Sequence, residues 1–318
     1  MNRKIINLYE YFKNTPKKLK IVCDWDEVIQ ACEPYVWYSA VKEKIKKELE
    51  GKEVLFPNFS EIFEDFWNGK IDKCEIEYSL YGSRIRQKHW TRGDADKGGE
   101  LTMWNYADEI SPPYSKIKNS PNFYQEAPFL TIAEYLLKLI KEDKVKQLIF
   151  LSAYDKRKFP TTDLRKVDVF NETFGKLLGE IKPMLGKSIS EMRKEMNQQV
   201  KKGIVGSLIL IPFESETQGE SKADWIKENA FDFDLVIDDN PNICKSLLSA
   251  DVSTLGDGKR IIDDAFIVAD GLSKGGELIK DKKMSVIAPY YPATANQHDE
   301  RVLLVKNEVS ELKRRDFE

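Results

Sequence analysis

The chain has 318 residues, with 50 Lys and Arg against 53 Asp and Glu and a formal net charge of −3. That near balance argues against a dedicated nucleic-acid binder, which carries a clear basic excess. With 41% hydrophobic and 32% charged residues, the composition is that of an ordinary water-exposed protein able to bury a sizeable core. No apolar run approaches the length of a bilayer crossing. Met1–Glu10 has an early charge but no apolar stretch long enough for a signal peptide. The expected setting is the cytoplasm, without membrane contact. The four cysteines, Cys23, Cys32, Cys74 and Cys244, lie far apart, and His89 and His298 are the only histidines. Neither a disulfide framework, a zinc site nor a histidine-rich metal site is expected.

Taken in order, Asn2–Phe12 carries Ile5, Ile6, Leu8, Tyr9 and Phe12 and predicts a helical face ahead of Pro16. A first strand is expected over Leu19–Cys23. An aromatic cluster (Tyr35, Val36, Trp37, Tyr38) follows, then a Lys/Glu-rich helix over Ala40–Leu49. Ser60–Trp67 reads as a helix that Ser60 can cap. Lys70–Gln125 is richer in Gly, Pro and Asn and predicts loops and short elements. Further helices are expected over Ala127–Lys141, Ser221–Asn229, Asn242–Ser249 and from Val309, and Thr161–Lys202 reads as helical with a turn near Pro183–Gly186. Strands are expected over Gln147–Leu151, Ser207–Pro212, Asp234–Ile237, Ala265–Val268, Ser285–Ile287 and Val302–Val305.

Short apolar runs without alternation suit strands covered on both faces, and their alternation with helices implies βαβ units and a parallel sheet. That alternation stops between Ile29 and Pro128. The expected architecture is therefore α/β: a Rossmann-like core of parallel sheet and flanking helices over residues 1–29 and 127–318, with a mainly helical cap, residues 30–126, inserted after the first strand.

Three strands end in polar residues suited to chemistry. Cys23 leads to Asp24 and Asp26, Leu151 to Ser152, and Ile237 to Asp238 and Asp239. In a parallel sheet these carboxyl ends share one edge. Side chains two apart in extended backbone point the same way, so Asp24 and Asp26 leave the strand together. Carboxylates gathered there repel one another unless a hard cation intervenes, and Mg2+ fits an all-oxygen set. Ser221-Lys-Ala-Asp224 fits a capping box that places Lys222 in a first helical turn, where an anion is favoured, with Lys227 as a competitor. A nucleoside-triphosphatase is disfavoured: Gly186-Lys187-Ser188 has Ile181 where a phosphate loop opens with glycine.

The order of these pieces resembles the haloacid dehalogenase superfamily. Asp24-Trp-Asp26-Glu-Val28 resembles its first motif, Ile149-Phe-Leu-Ser152 its second, Lys222 its third and Leu235-Val-Ile-Asp238-Asp239 its fourth. Glu27 departs from the glycine of the commonest members. The resemblance implies that Asp24 is the nucleophile, that Asp26 is the general acid and base, and that Ser152 and Lys222 bind the phosphoryl oxygens. It also implies that Asp24, the Asp26 backbone carbonyl and Asp238 hold Mg2+, with Asp239 supporting that shell. Members with a second aspartate like Asp26 transfer or hydrolyse phosphoryl groups, so dehalogenation is disfavoured. Relatives insert a cap after the first strand.

The expected function is a Mg2+-dependent phosphomonoesterase acting on a small phosphorylated metabolite. A nucleoside monophosphate is preferred, because the fourth-motif region is similar to that of 5′-nucleotidases of the deoxyribonucleotidase type. Tyr35, Trp37, Tyr38, Trp90 and Trp104 would either stack on a base or form the insertion's own core. One alternative is a polynucleotide 3′-phosphatase using the basic stretch Arg84–Arg92; another is a catalytically quiet binding protein on the same scaffold. Oligomeric state is open.

Overall fold

The computed structural model of the protein describes residues 4–48, 56, 58–67, 73–80, 83–91, 116–155, 160–180, 206–213, 222–226, 233–249, 284–290 and 296–318. Its centre is a seven-stranded sheet of β1 (Ile5–Ile6), β2 (Leu19–Cys23), β5 (Val145–Asp155), β6 (Gly206–Phe213), β7 (Leu235–Ile237), β8 (Ser285–Pro289) and β9 (Leu303–Val305). The spatial order is β1-β9-β8-β7-β2-β5-β6, and every pairing is parallel. After β2 the chain builds outward through β5 and β6, then returns to lay β7 on the opposite side of β2. Strand order thus reverses at β2, the position at which open α/β sheets place their ligands.

Alternation along each strand feeds two apolar layers. Ile21, Cys23, Leu148, Phe150, Leu235 and Ile237 enter one layer, with α1 (Leu8–Phe12), α5 (Thr131–Lys141) and α6 (Thr162–Phe170). Val22, Ile149, Leu151, Ile209 and Val236 enter the other, with residues 223–226 and α8 (Pro241–Ser249). Both faces are therefore covered, as the unbroken apolar runs require. Among the described residues, no helix is long and apolar enough to cross a membrane.

Between β2 and α5 lie α2 (Cys32–Glu48), α3 (Phe59–Trp67), the antiparallel hairpin β3 (Lys73–Leu80) and β4 (Ser83–Thr91), and the short α4 (Phe123–Glu126). The hairpin supplies strand structure within the stretch expected to hold loops and short elements. The aromatic cluster and the Lys/Glu-rich stretch form one helix, α2. Asn58 rather than Ser60 precedes α3, its N–H donating to Glu61 Oε2 at 3.3 Å.

The two ends of the chain depart most from expectation. Ile5 and Ile6 are strand, because β9 offers them a parallel partner, and helix begins only at Leu8. Beyond Val305 there is no charged helix. Val309 instead bridges Leu130, Ser310 N–H donates to the Phe129 carbonyl at 2.8 Å, and only Arg314–Phe317 turns as a 3₁₀ helix. Phe317, fully buried, packs on Phe129 and Phe174. Tertiary pairing here overrides helical composition. The strand expected over Ala265–Val268 lies outside the described residues, as do residues 181–202 of the helical stretch expected over Thr161–Lys202, including its turn near Pro183–Gly186; the described part is α6, a π-helical segment at Asn171–Gly175 and α7 (Lys176–Leu178).

This C-terminal segment ties down the loop after β2. Asn307, fully buried, donates to the carbonyls of Glu27 at 3.1 Å and Val28 at 3.3 Å and accepts from Ile132 N–H at 3.0 Å. Asn307→Ala strips these buried backbone groups of their partner and should destabilise the fold by about 2–4 kcal/mol in chemical denaturation. A change below about 0.5 kcal/mol would show that the clamp carries no stability.

Candidate active site

Asp24 follows the last residue of β2 and Asp238 the last of β7. The pairing of Cys23 with Ile237 sets them level on adjacent strands. Lys222, in the helical turn described over 222–226, reaches between them: its Nζ is 2.8 Å from Asp24 Oδ2 and 2.7 Å from Asp238 Oδ2. The turn is anchored by Ala223, Trp225 and Ile226, all buried in the second apolar layer, so the lysine is aimed from a fixed base. The competitor Lys227 lies outside the described residues. Trp25 N–H donates to Asp24 Oδ1 at 2.7 Å, and the Cys244 thiol donates to the Asp238 carbonyl at 3.3 Å.

Ser152 is not at a strand end. β5 runs on to Asp155 because β6 supplies partners for residues 152–155. β2 stops opposite Phe150, so Ser152 still emerges at the same edge, one strand from Asp24. It does not meet Lys222. Its partner is Lys166 of α6, whose ammonium donates to Ser152 Oγ and, at 2.9 Å, to Asp26 Oδ2. Lys166 is 0% exposed. One lysine in a helical stretch carries no spacing signal that would single it out in the sequence.

The carboxylates of Asp24, Asp238 and Asp239 form a buried cluster whose ligand atoms all lie within 4.8 Å of one another. Burial, then the Asp24 and Asp238 charges, push the Asp239 carboxyl well above its usual range. Burial also raises Asp24 to about 6, against the pull of Lys222. A buried, mutually repelling, all-oxygen donor set suits Mg2+. Asp26 stands outside this cluster with its carboxylate turned to Lys166; the metal role expected of it was for its backbone carbonyl. Burial alone would push Asp26 up, but Lys166 and then Lys118 hold it below the usual carboxylate range.

Glu27 has φ 59°. This left-handed conformation costs a side-chain-bearing residue about 1–2 kcal/mol and explains why glycine suits the position. Compensation is local: Glu27 N–H donates to the Gln30 carbonyl at 2.8 Å, and its carboxylate accepts from Glu33 N–H at 2.5 Å. Glu33 in turn holds the buried ammonium of Lys118. The side chain of Trp25, 0% exposed, donates to Gln30 Oε1 at 2.8 Å, and Gln30 Nε2 donates to the carbonyls of Tyr124 and Ala127. The return of the inserted segment is thereby fastened to the Asp24–Asp26 loop.

The aromatics give no stacking platform in their described part. Trp37 and Tyr38 are buried, and Tyr35 packs edge-on against Phe59 and obliquely against Phe123, so these three are packed into the fold rather than standing free for a base. Nothing is described of the Trp90 side chain or of Trp104, nor of the side chains of Arg84 to Thr91 on β4; Arg92 lies outside the described residues. The fold and the site define an α/β protein with a parallel sheet and an acidic, lysine-braced centre at its strand switch point. Comparison with protein-family models, curated proteins and solved structures found no match.

A pH effect follows from Asp24. Between its ordinary 3.8 and about 6, the folded metal-free protein retains a proton that the unfolded chain has released, so this group's contribution to stability falls as pH rises through that window. A divalent cation competes with the same proton. The rise in melting temperature on replacing EDTA with Mg2+ should be larger at about pH 7.5 than at about pH 5. Equal increments would place the cation elsewhere.

Proposed function

We propose that the protein is a Mg2+-dependent phosphomonoester hydrolase of the haloacid dehalogenase type, acting on a small phosphorylated metabolite. The observation that carries this reading is the bridge of Lys222 between Asp24 and Asp238. One buried ammonium braces a candidate nucleophile and a candidate metal ligand from neighbouring strands, with Asp26 and Ser152 at the same edge.

Bound to Asp24, the Asp26 carbonyl, Asp238 and Asp239, the cation would neutralise charge on the phosphoryl oxygens. Asp24 is oriented for attack by the Trp25 N–H, which holds one carboxylate oxygen while Lys222 faces the other. Attack by Asp24 forms an O–P bond and breaks the ester P–O bond, and the leaving oxygen takes a proton from Asp26. Water then attacks the aspartyl phosphate, gives its proton to Asp26 and releases inorganic phosphate and free Asp24. Lys166 favours the ionised form of Asp26, which suits this second half. Protonation of the leaving oxygen is easier once that ammonium turns toward the phosphoryl group. Positioning and charge neutralisation account for most of the rate in such chemistry.

The packing of Tyr35, Trp37 and Tyr38 withdraws them as base-stacking groups, so the nucleoside monophosphate preference rests on the fourth-motif resemblance alone. Against a panel of nucleoside monophosphates and sugar phosphates with Mg2+, the protein should release phosphate from at least one member and lose that activity in EDTA. Asp24→Asn should cut turnover by about 10³-fold or more while retaining the native circular dichroism spectrum. Undiminished turnover by a folded Asp24→Asn protein overturns the assignment.

A further inference from the structure

Lys166 is a buried cation to which none of the four motif resemblances assigns a role. It is 0% exposed on α6, yet its ammonium lies at the reaction centre, on the Asp26 side rather than the Asp24 side. A buried ammonium with one carboxylate partner is costly to keep, and such groups cluster at functional sites. Its other polar partner is the neutral hydroxyl of Ser152, the residue expected to hold phosphoryl oxygen. The Tyr124 ring lies under it, 5.4 Å from Nζ.

Around this lysine are buried polar atoms with no protein partner among the described residues: Asp26 Oδ1, Tyr124 Oη and Thr162 Oγ1. Tyr124 and Thr162 are 1% and 2% exposed. Thr162 lies one helical turn before Lys166 on α6, and Tyr124 comes from the return of the inserted segment. Buried hydroxyls and a carboxylate oxygen are rarely left unpaired. Asp26 Oδ1 belongs to the carboxylate that Lys166 contacts, the Tyr124 ring faces the ammonium, and Thr162 shares the helix face of Lys166 four residues away. Arg165, the neighbour of Lys166, donates to the carbonyls of Lys118 and Ser120 at 3.0 and 2.6 Å, which fixes α6 against the insertion's return.

We propose that Lys166 is a second substrate-binding lysine, donating to a phosphoryl oxygen from the Asp26–Ser152 side as Lys222 does from the Asp24–Asp238 side. This rests on the phosphatase reading. When the phosphoryl group enters, Lys166 and Ser152 turn from each other to it. The unpartnered hydroxyls of Tyr124 and Thr162 are then the groups offered to the ester oxygen and the first polar atoms of the leaving group. The substrate class this favours is a phosphomonoester with a hydroxylated leaving group rather than an apolar one.

The test compares the wild type with Lys166→Met, which keeps the length of the stem, and Lys166→Arg, which keeps the charge. Binding of inorganic phosphate to metal-free protein is measured by calorimetry, beside KM and kcat on the best substrate of the panel and circular dichroism of each variant. Lys166→Met should weaken phosphate binding and raise KM by about 10- to 100-fold, and Lys166→Arg should recover part of both. If folded Lys166→Met and Lys166→Arg bind phosphate as the wild type does, with only kcat reduced, Lys166 merely positions Asp26 and the inference falls. Misfolding of both variants would make the lysine structural and would also overturn it. A wild type that neither binds phosphate nor releases it from any substrate removes the phosphatase reading itself.

Discussion

Repulsion among carboxylates at one edge of the sheet is the constraint around which the molecule is built. Asp24, Asp238 and Asp239 stand close together in surroundings that penalise charge, and Asp26, Glu27 and Glu33 crowd the next turn of chain. The described structure answers with lysines delivered from separate elements. Lys222 comes from the turn before β7, Lys166 from α6 and Lys118 from the return of the inserted segment. Each is buried and faces a carboxylate, so the centre is held by opposed charges rather than by apolar packing. Removing one partner of such a pair leaves the other stranded in low dielectric.

Placement of these charges depends on a second set of contacts, between backbone and neutral side chains. Gln30 joins the Trp25 indole to the carbonyls of Tyr124 and Ala127, and Asn307 joins the carbonyls after Asp26 to the start of α5. Ala31 N–H donates to the Pro128 carbonyl and Leu130 N–H to that of Ile29, so the outgoing and returning chains of the insertion are paired where they leave the sheet. The loop bearing Asp24 and Asp26 is thereby fastened both to the insertion and to the C-terminal segment. Movement of either would reach the acidic centre through few bonds.

Much of this architecture was legible in the chain. Ser207–Pro212 and Leu235–Ile237 are strands because unbroken apolar runs suit a sheet covered on both faces, and β6 and β7 lie there. Asp24, Ser152 and Asp238 were legible as polar residues beside such runs. What escaped was set by distant partners. Ile5 and Ile6 look helical until β9 is available to pair with them, and the segment after Val309 looks helical until Leu130 and Phe129 claim its backbone. Ser152 looks like a strand end until β6 prolongs β5.

The sequence by itself determined the strand-ending carboxylates, the placing of Lys222 on a helical turn ahead of β7 and the interruption of βα alternation after Ile29. Local periodicity and side-chain chemistry carry that information. Only the tertiary structure decided which cation meets which carboxylate. Lys222 braces Asp24 and Asp238, whereas Lys166, fourteen residues beyond Ser152 and undistinguished in its helix, takes Asp26 and Ser152. The tertiary structure also decided that Glu27 occupies a left-handed backbone position and that Asn307, at the far end of the chain, holds the loop containing it. Such pairings depend on where helices pack across a parallel sheet, and strand order, not neighbouring sequence, sets those distances.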